Sequence, residues 1–519
     1  VLDTTKLLIS AIFIAFVIVP LVVMFANVDS ESIKRVINTP NFRGIVLNSL
    51  TIGVIATTIS VTLAYLLARA VYRSGIKNKE LFGVLFTVPM LVPSISLGMG
   101  LIMLLGNNGI VTKLLGLDGG IYGMWGIVMG SVLYSLPVAY LMFADIMKYE
   151  DASVYEAAQV LGIPKLRQFM VITVPYLRKP LISIIFAIFT LIVTDYGVPI
   201  AVGGVYKTIP AIMYEEVVGN LEFGKGAVWG SMLLIPALIA FVFDLLNKDQ
   251  GNTTWVTRAF EESKSKVSRS VCYVLCILAA LFTVSPAISF VFLAFTKGYP
   301  NDIFFTLDNI ISVMEKSSEY LVNSVVMAVL VAFVGSIIAF LSAYLSARTK
   351  SKASRFLHLS SITSAAIPGL VLGLSYAMTF SGTGIYNTMI ILIVVNTVHF
   401  ISSPYLMMYN SFSKINKNLE SVGDTLGISR VRMLKDVFLP QSITTLIEMF
   451  VYFFVNCMMT ISAVSFLASG DTKPLSLLIN QYQTLSKPEL SAVISLMILV
   501  INLAVKIGFR IIKNKAIKK

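Results

Sequence analysis

The stretch Glu156-Ala157-Ala158-Gln159-Val160-Leu161-Gly162, followed by Ile172-Thr173-Val174-Pro175, has a counterpart further along the chain. There it reads Ser421-Val422-Gly423-Asp424-Thr425-Leu426-Gly427, then Val437-Phe438-Leu439-Pro440. The Pro stands thirteen positions after the Gly in both copies, with Lys165 and Arg167 between them in the first and Arg430 and Arg432 in the second. Glu-Ala-Ala-Gln-Val-Leu is a strong helix former. Gly162 suits the end of that helix, and Pro164 prevents its continuation. Asp424-Thr425-Leu426 before Gly427 reads the same way. Each copy therefore predicts a short helix of mixed apolar and polar character within a polar loop, ahead of a long apolar run.

Working outward, the duplication covers the whole chain. Asn48-Ser49 opens a run ending Ala64-Tyr65-Leu66-Leu67-Ala68-Arg69, and Asn323-Ser324 opens one ending Ala343-Tyr344-Leu345-Ser346-Ala347-Arg348. Val92-Pro93-Ser94-Ile95-Ser96-Leu97-Gly98 matches Ile367-Pro368-Gly369-Leu370-Val371-Leu372-Gly373. The order is the same in both copies, which makes the repeat parallel. It predicts a first half over 1–247 with its loop at 150–176. A polar linker over 248–270 leads to a second half over 271–519, with its loop at 412–441.

The 519 residues are 56% hydrophobic and 13% charged, with mean hydropathy +0.84. A soluble domain carries about 25% charged residues, so much of this surface faces lipid. A spanning helix needs roughly 20 apolar residues, and twelve such runs are present: 7–26, 46–68, 82–105, 121–145, 177–199, 227–247, 271–296, 322–346, 359–380, 385–411, 442–467 and 490–512. The first is too long for a signal-peptide core and lacks a small-residue cleavage site, so it reads as a span. With the N-terminus inside, the inner segments hold 30 of the 40 Lys and Arg residues. That bias predicts both termini in the cytoplasm and accounts for the net charge of +13 without nucleic-acid binding.

Enzymatic chemistry has little to stand on. His358 and His399 are the only histidines, and Cys272, Cys276 and Cys457 the only cysteines. None has zinc-ligand spacing, so no metal site and no catalytic residue is expected. No Gly-x-x-x-x-Gly-Lys-Ser/Thr phosphate loop occurs either. ATP and Mg, if used, would be bound by another protein, and this chain is expected to hold no cofactor.

The first loop resembles the EAA signature of permeases in bacterial ATP-binding-cassette importers: Glu-Ala-Ala, three residues, Gly, nine residues, Ile, one residue, Leu-Pro. Val174 in place of Leu is its one departure. In the second copy Ser421 stands where Glu belongs, Glu420 lies one position earlier, and Val422-Gly423 replace Ala-Ala. The resemblance implies an all-α membrane protein of about 12 transmembrane helices in two homologous six-helix halves, the type I ABC importer permease fold. It implies a multi-pass chain in the bacterial cytoplasmic membrane, in contact with lipid. Two copies of a cytosolic ABC ATPase would bind the loops, and an extracytoplasmic solute-binding protein would deliver cargo. The expected coupling residues are Glu156, Ala157, Ala158, Gly162, Pro175, Glu420, Ser421, Asp424, Gly427 and Pro440.

Polar groups at membrane depth are functional candidates by default. Twenty residues past each signature proline lie Asp195 and Thr460, in spans which in the resembled family line the central pathway. Asp195, Tyr196, Asn456, Thr460, Ser462 and Ser465 are therefore expected to line it, with helix capping or packing as the alternative. Gly197, Pro199, Gly203 and Gly204 break the helix there. Asn396, His399 and Glu448 are expected to make interhelical hydrogen bonds rather than line a path, and a buried Glu448 requires a partner. Thr194-Asp195-Tyr196-Gly197-Val198-Pro199 with Gly203-Gly204 is similar to the corresponding segment of 2-aminoethylphosphonate permeases, Tyr196 replacing Phe. The run Ser462-Ala463-Val464-Ser465-Phe466-Leu467 is similar to theirs too. Phosphonate is thus the first expected cargo, ferric iron the second and thiamine the third.

Overall fold

The structure, a computed structural model, describes residues 2–116, 120–247, 266–299, 303–349, 351–416 and 418–517. Almost everything described is helical; one short antiparallel pairing joins Thr296–Lys297 to Phe304–Phe305. Among the described residues nine helices are long and apolar enough to cross a bilayer, and three bent pairs bring the number of spans to twelve. This is a nearly all-helical, multi-span architecture of the kind the resemblance implies. Most of the predicted linker, 248–265, lies outside the described residues, and its last five open the helix Lys266–Ala294.

Several predicted spans are not straight. The run 359–380 divides into Lys352–Ala366 and Gly369–Phe380, which meet at 104°. Pro368 stands just before the second piece, where its missing N–H costs nothing. Pro93 occupies the same place before the helix Ser94–Leu105. The run 385–411 bends by 51° at Ile401, and 442–467 is helical only to Met459. Likewise 177–199 ends as a helix at Val193 and restarts at Gly197. The helix Asp308–Ala347 is 40 residues long, well beyond the expected 322–346.

The repeated motifs have structural reasons. Asn48 Nδ2 donates to the Lys207 carbonyl at 3.0 Å, and Ser49 Oγ accepts the Ile209 N–H at 2.8 Å. Asn323 Nδ2 donates to the Asp471 carbonyl at 2.8 Å, and Ser324 Oγ accepts the Leu475 N–H at 2.7 Å. Each Asn-Ser pair thus holds the start of a later helix, whose first N–H groups have no partner inside the helix. The glycine of each Leu-Gly marks a close approach. A Cβ on Gly98 would lie 2.6 Å from Ala201 Cβ, and one on Gly373 would lie 2.6 Å from the Ala463 carbonyl oxygen. Small residues allow such contacts between membrane helices. A π-helical turn, Phe169–Thr173 or Leu434–Phe438, precedes each signature proline by one residue. Proline removes a ladder hydrogen bond and crowds the preceding turn, and a wider turn relieves this.

The compact units of the structure are interleaved along the sequence. One comprises Val1–Thr39, Met213–Leu234 and Thr306–Lys519; the other comprises Pro40–Ile212 and Ile235–Phe305. In the first unit the N-terminal helix packs on residues of the second sequence half. Tyr376 Oη donates to the Phe16 carbonyl at 2.6 Å. Buried Lys6 donates to Asp3 Oδ1 at 2.7 Å and to Ser351 Oγ at 3.2 Å. In the second unit the helix Lys266–Ala294 packs on residues of the first sequence half. Thr283 Oγ1 donates to the Leu85 carbonyl at 3.0 Å, and Tyr273 Oη accepts the Lys77 N–H at 2.8 Å. The units therefore cut across the division into 1–247 and 271–519.

Candidate functional site

Both signature loops carry the short helix that their sequence requires, over Ser153–Val160 and Leu419–Thr425. Each ends on a glycine in the left-handed region, Gly162 at φ +69° and Gly427 at φ +67°. The Ile163 N–H bonds the Ala158 carbonyl at 3.0 Å, and the Ile428 N–H bonds the Gly423 carbonyl at 2.9 Å. This is the glycine C-cap closure. Ala158 is buried, Glu156 half-buried, and Ala157, Pro175, Ser421 and Pro440 are exposed. Asp424 is exposed and pairs with Arg430 at 2.7 Å.

The departures of the second copy are locally compensated. Gly423 takes the place of Ala158. A Cβ on Gly423 would lie 2.2 Å from Met433 Sδ, so the methionine fills the volume that alanine gives up. In the first loop the residue at the position of Met433 is Gln168, whose Nε2 donates to the Ile163 carbonyl at 2.6 Å.

Each loop is also clamped by an arginine at the end of a long helix, which the motif alone does not reveal. Arg348 donates from Nε to Glu420 Oε1 at 2.6 Å and from Nη2 to Oε2 at 2.5 Å. Its remaining donors reach the Phe412, Ile415 and Asn416 carbonyls. Arg73 donates from Nη2 to Glu150 Oε2 at 2.5 Å and to the Met147 carbonyl at 2.9 Å. Tyr155 Oη, at the position of Glu420, donates to Glu150 Oε1 at 2.6 Å. Burial pushes the Tyr155 phenol upward, and this bond to Glu150 adds to the shift. Carboxylates at different sequence positions thus serve the same clamp. The signal for Arg348 lay in the repeated Ala-Tyr-x-x-Ala-Arg; Arg73 stands one helical turn beyond that motif.

Beyond the clamps each loop presents apolar side chains to its surroundings. Leu161 is 75% exposed and Leu166 78%; the residues at their positions in the second loop, Leu426 and Val431, are 68% and 78% exposed. Matched apolar groups on two loops form surfaces suited to a protein partner.

The residues beyond Val193 and Met459 form a second candidate region. Asp195 Oδ1 accepts Ser94 Oγ–H at 2.5 Å, and Oδ2 accepts the Val198 N–H at 3.0 Å. The carboxylate thereby joins the starts of the helices Ser94–Leu105 and Gly197–Val202. Tyr196 is buried beside it. In the second half Gly369 occupies the place of Ser94. A Cβ there would lie 2.2 Å from Ser462 Oγ and 3.1 Å from His399 Nε2. Thr460 is buried, its carbonyl accepts Ser476 Oγ–H at 2.6 Å, and its own hydroxyl has no partner among the described residues. Asn456 donates to the Tyr452 carbonyl at 2.8 Å, and Ser465 Oγ donates to the Ile461 carbonyl.

Of the other polar residues of the spans, one departs from expectation. Asn396 donates to the Leu392 carbonyl at 2.8 Å and reaches Met327 Sδ at 3.6 Å, across to the helix Asp308–Ala347. His399 Nδ1 is buried without a partner among the described residues, contrary to the expected interhelical bond. Glu448 makes the expected interhelical bond, to Lys513 of the helix Pro488–Ile517, with its side chain 44% exposed. The aliphatic stems of long charged residues lie along apolar surface while their heads reach polar surroundings, which frees Glu448 from needing a buried partner.

Twelve apolar spans in two parallel repeats, each with a clamped helix in a polar loop, define a fused double permease of a membrane transporter. The chain belongs to the inner membrane components of binding-protein-dependent transport systems, a family that matches it twice, over residues 56–248 and 332–518. It is thus a permease of the ATP-binding-cassette importer class. It is similar to the ferric transport system permease protein FbpB of Actinobacillus pleuropneumoniae, 23% identical over 489 residues, covering 88% of this chain and 70% of that protein. The Fe(3+)-transport system permease protein FbpB 2 of Haemophilus influenzae is 22% identical over 451 residues, covering 84% of each. The thiamine transport system permease protein ThiP of the same species is 23% identical over 398 residues, covering 72% of this chain and 71% of that protein.

Proposed function

We propose that this chain forms the membrane path of an ATP-driven importer of ferric iron. The observation that carries the cargo is the similarity, over 84–88% of the chain, to two permeases named for ferric transport. It moves ferric iron ahead of the phosphonate expected from residues 194–199. That segment keeps 2-aminoethylphosphonate as the second reading.

In this proposal two ATPase subunits dock on the two signature loops, and a solute-binding protein delivers cargo at the opposite face. Both termini lie in the cytoplasm, a placement supported by the excess of Lys and Arg in the loops on that side. Leu161 and Leu166 on one loop, with Leu426 and Val431 on the other, form the apolar centres of the ATPase contacts, and the arginine clamps carry loop movement into the long helices. ATP binding closes the ATPase pair and shifts the permease between inward-open and outward-open states, a bistable element biased by nucleotide and by the loaded binding protein. Asp195, Tyr196, Asn456, Thr460, Ser462 and Ser465 line or shape the path at the helix breaks.

The test is ATPase activity of the purified complex with its binding protein and ferric iron, 2-aminoethylphosphonate or thiamine. Stimulation by ferric iron alone is expected. Stimulation by another ligand alone would overturn the cargo, and failure of any ATPase to copurify would overturn the coupling assignment.

A further inference from the structure

A cavity of about 590 Å³ opens at the signature-loop face of the unit containing Pro40–Ile212 and Ile235–Phe305. Its size falls in the usual range for small-ligand sites. Three apolar helices begin or end at it: Phe42–Arg73, the span starting at Lys165, and Lys266–Ala294. The cavity therefore lies where the chain enters the membrane. Its lining combines apolar Leu66, Leu177 and Leu275 with cationic Arg69, Arg73 and Lys165, and along the helix Phe42–Arg73 the cations follow Leu66 toward the loop end. Glu150 also lines it, but Arg73 already neutralises that carboxylate.

The other two cations are unspent. Lys165 has no hydrogen-bond or ion-pair partner among the described residues, and the one hydrogen bond of Arg69 goes to the neutral Tyr65 hydroxyl at 3.2 Å. The arginine of the other unit is different: Arg348 uses Nε, Nη1 and Nη2 on Glu420 and three carbonyls. Two cations without counter-ions above an apolar wall at the membrane surface match an amphiphile with an anionic head. Basic pockets between membrane helices take acidic lipid headgroups in this way. We propose that the cavity seats an anionic phospholipid, its phosphodiester held by Arg69 and Lys165 and its acyl chains lying along the start of Lys266–Ala294. The lipid would touch Tyr155 and Gln159 of the signature helix, linking membrane composition to the loop. The inference does not depend on the cargo.

A native reporter lines the same cavity. Cys272 is half-buried there, whereas Cys276 and Cys457 are buried. The full chain would be placed in nanodiscs of phosphatidylcholine alone or of an equal mixture with phosphatidylglycerol, and alkylation of Cys272 by N-ethylmaleimide followed by mass spectrometry. The expected result is protection by phosphatidylglycerol of roughly tenfold, lost in an Arg69→Gln/Lys165→Gln variant. Unreactive Cys276 and Cys457 show that the variant is folded; if they react, Lys165→Gln alone takes its place. Equal alkylation rates in the two bilayers overturn the proposal, as does protection that survives the substitutions. Protection in phosphatidylcholine by added inorganic phosphate to the same extent would assign the site to a soluble anion and overturn the lipid.

Discussion

Gly423 and Met433 show how a residue can look like decay in a motif and yet be part of a fitted pair. Gly423→Ala forces its new methyl onto Met433 Sδ, and overpacking of this kind costs about 1–3 kcal/mol. Thermal denaturation of the purified chain should show that loss, and Met433→Gln, which recreates the Ala158/Gln168 pair, should recover most of it. Gly162 and Gly427 are needed for another reason, since a Cβ at either would meet nothing within 4 Å. Their positive φ is the constraint, costing other residues roughly 1–2 kcal/mol. The Gly162→Asp/Gly427→Asp double variant should insert normally and lose both ATPase copurification and uptake; normal uptake would remove these loops from coupling. The glycines were legible because a helix stop has a local signature. The partner of Gly423 was not, because it is set by a side chain ten residues away.

Elements meet at the arginine clamps, where the end of one long helix is tied to a loop. Removing Arg348 would leave Glu420 buried and uncompensated, since the side chains are 3% and 10% exposed. Breaking a buried pair from one side costs about 3–5 kcal/mol. Arg348→Ala should therefore lower the thermal midpoint far more than Arg430→Ala, whose partner Asp424 is exposed and whose pair contributes at most about 1 kcal/mol. A similar loss for both would mean that the clamp does not hold the loop. At this scale the positions of the spans were largely legible, because apolar runs report length and location. Their bends were less so: hydropathy carries no direction, and only Pro93 and Pro368 hinted at the breaks before Ser94 and Gly369. Polar contacts within the spans were the least legible. Ser94 was a repeat marker in the sequence, and only folding brings its hydroxyl to Asp195.

Across the whole molecule, sequence halves and compact units do not coincide. The repeat divides the chain at its linker, whereas each unit draws on both sides of it. A repeat is read from local similarity, and the exchange of first helices involves contacts 196 to 360 residues apart. Expressed separately, residues 1–247 and 271–519 should each be cleared or be open to protease, and coexpression should restore a resistant complex. A stable, resistant 1–247 fragment would contradict the interleaving.

The helix containing Lys6 and Phe16 finds its partners at Ser351 and Tyr376. At bacterial elongation speeds, on the order of 5–20 residues per second, tens of seconds of synthesis separate the two. The nascent chain must carry its first helix through the insertion machinery and keep it in lipid while most of the polypeptide is still being translated. Slowing the ribosome within the second half would lengthen that wait and leave the first helix exposed to quality-control proteases before its partners exist.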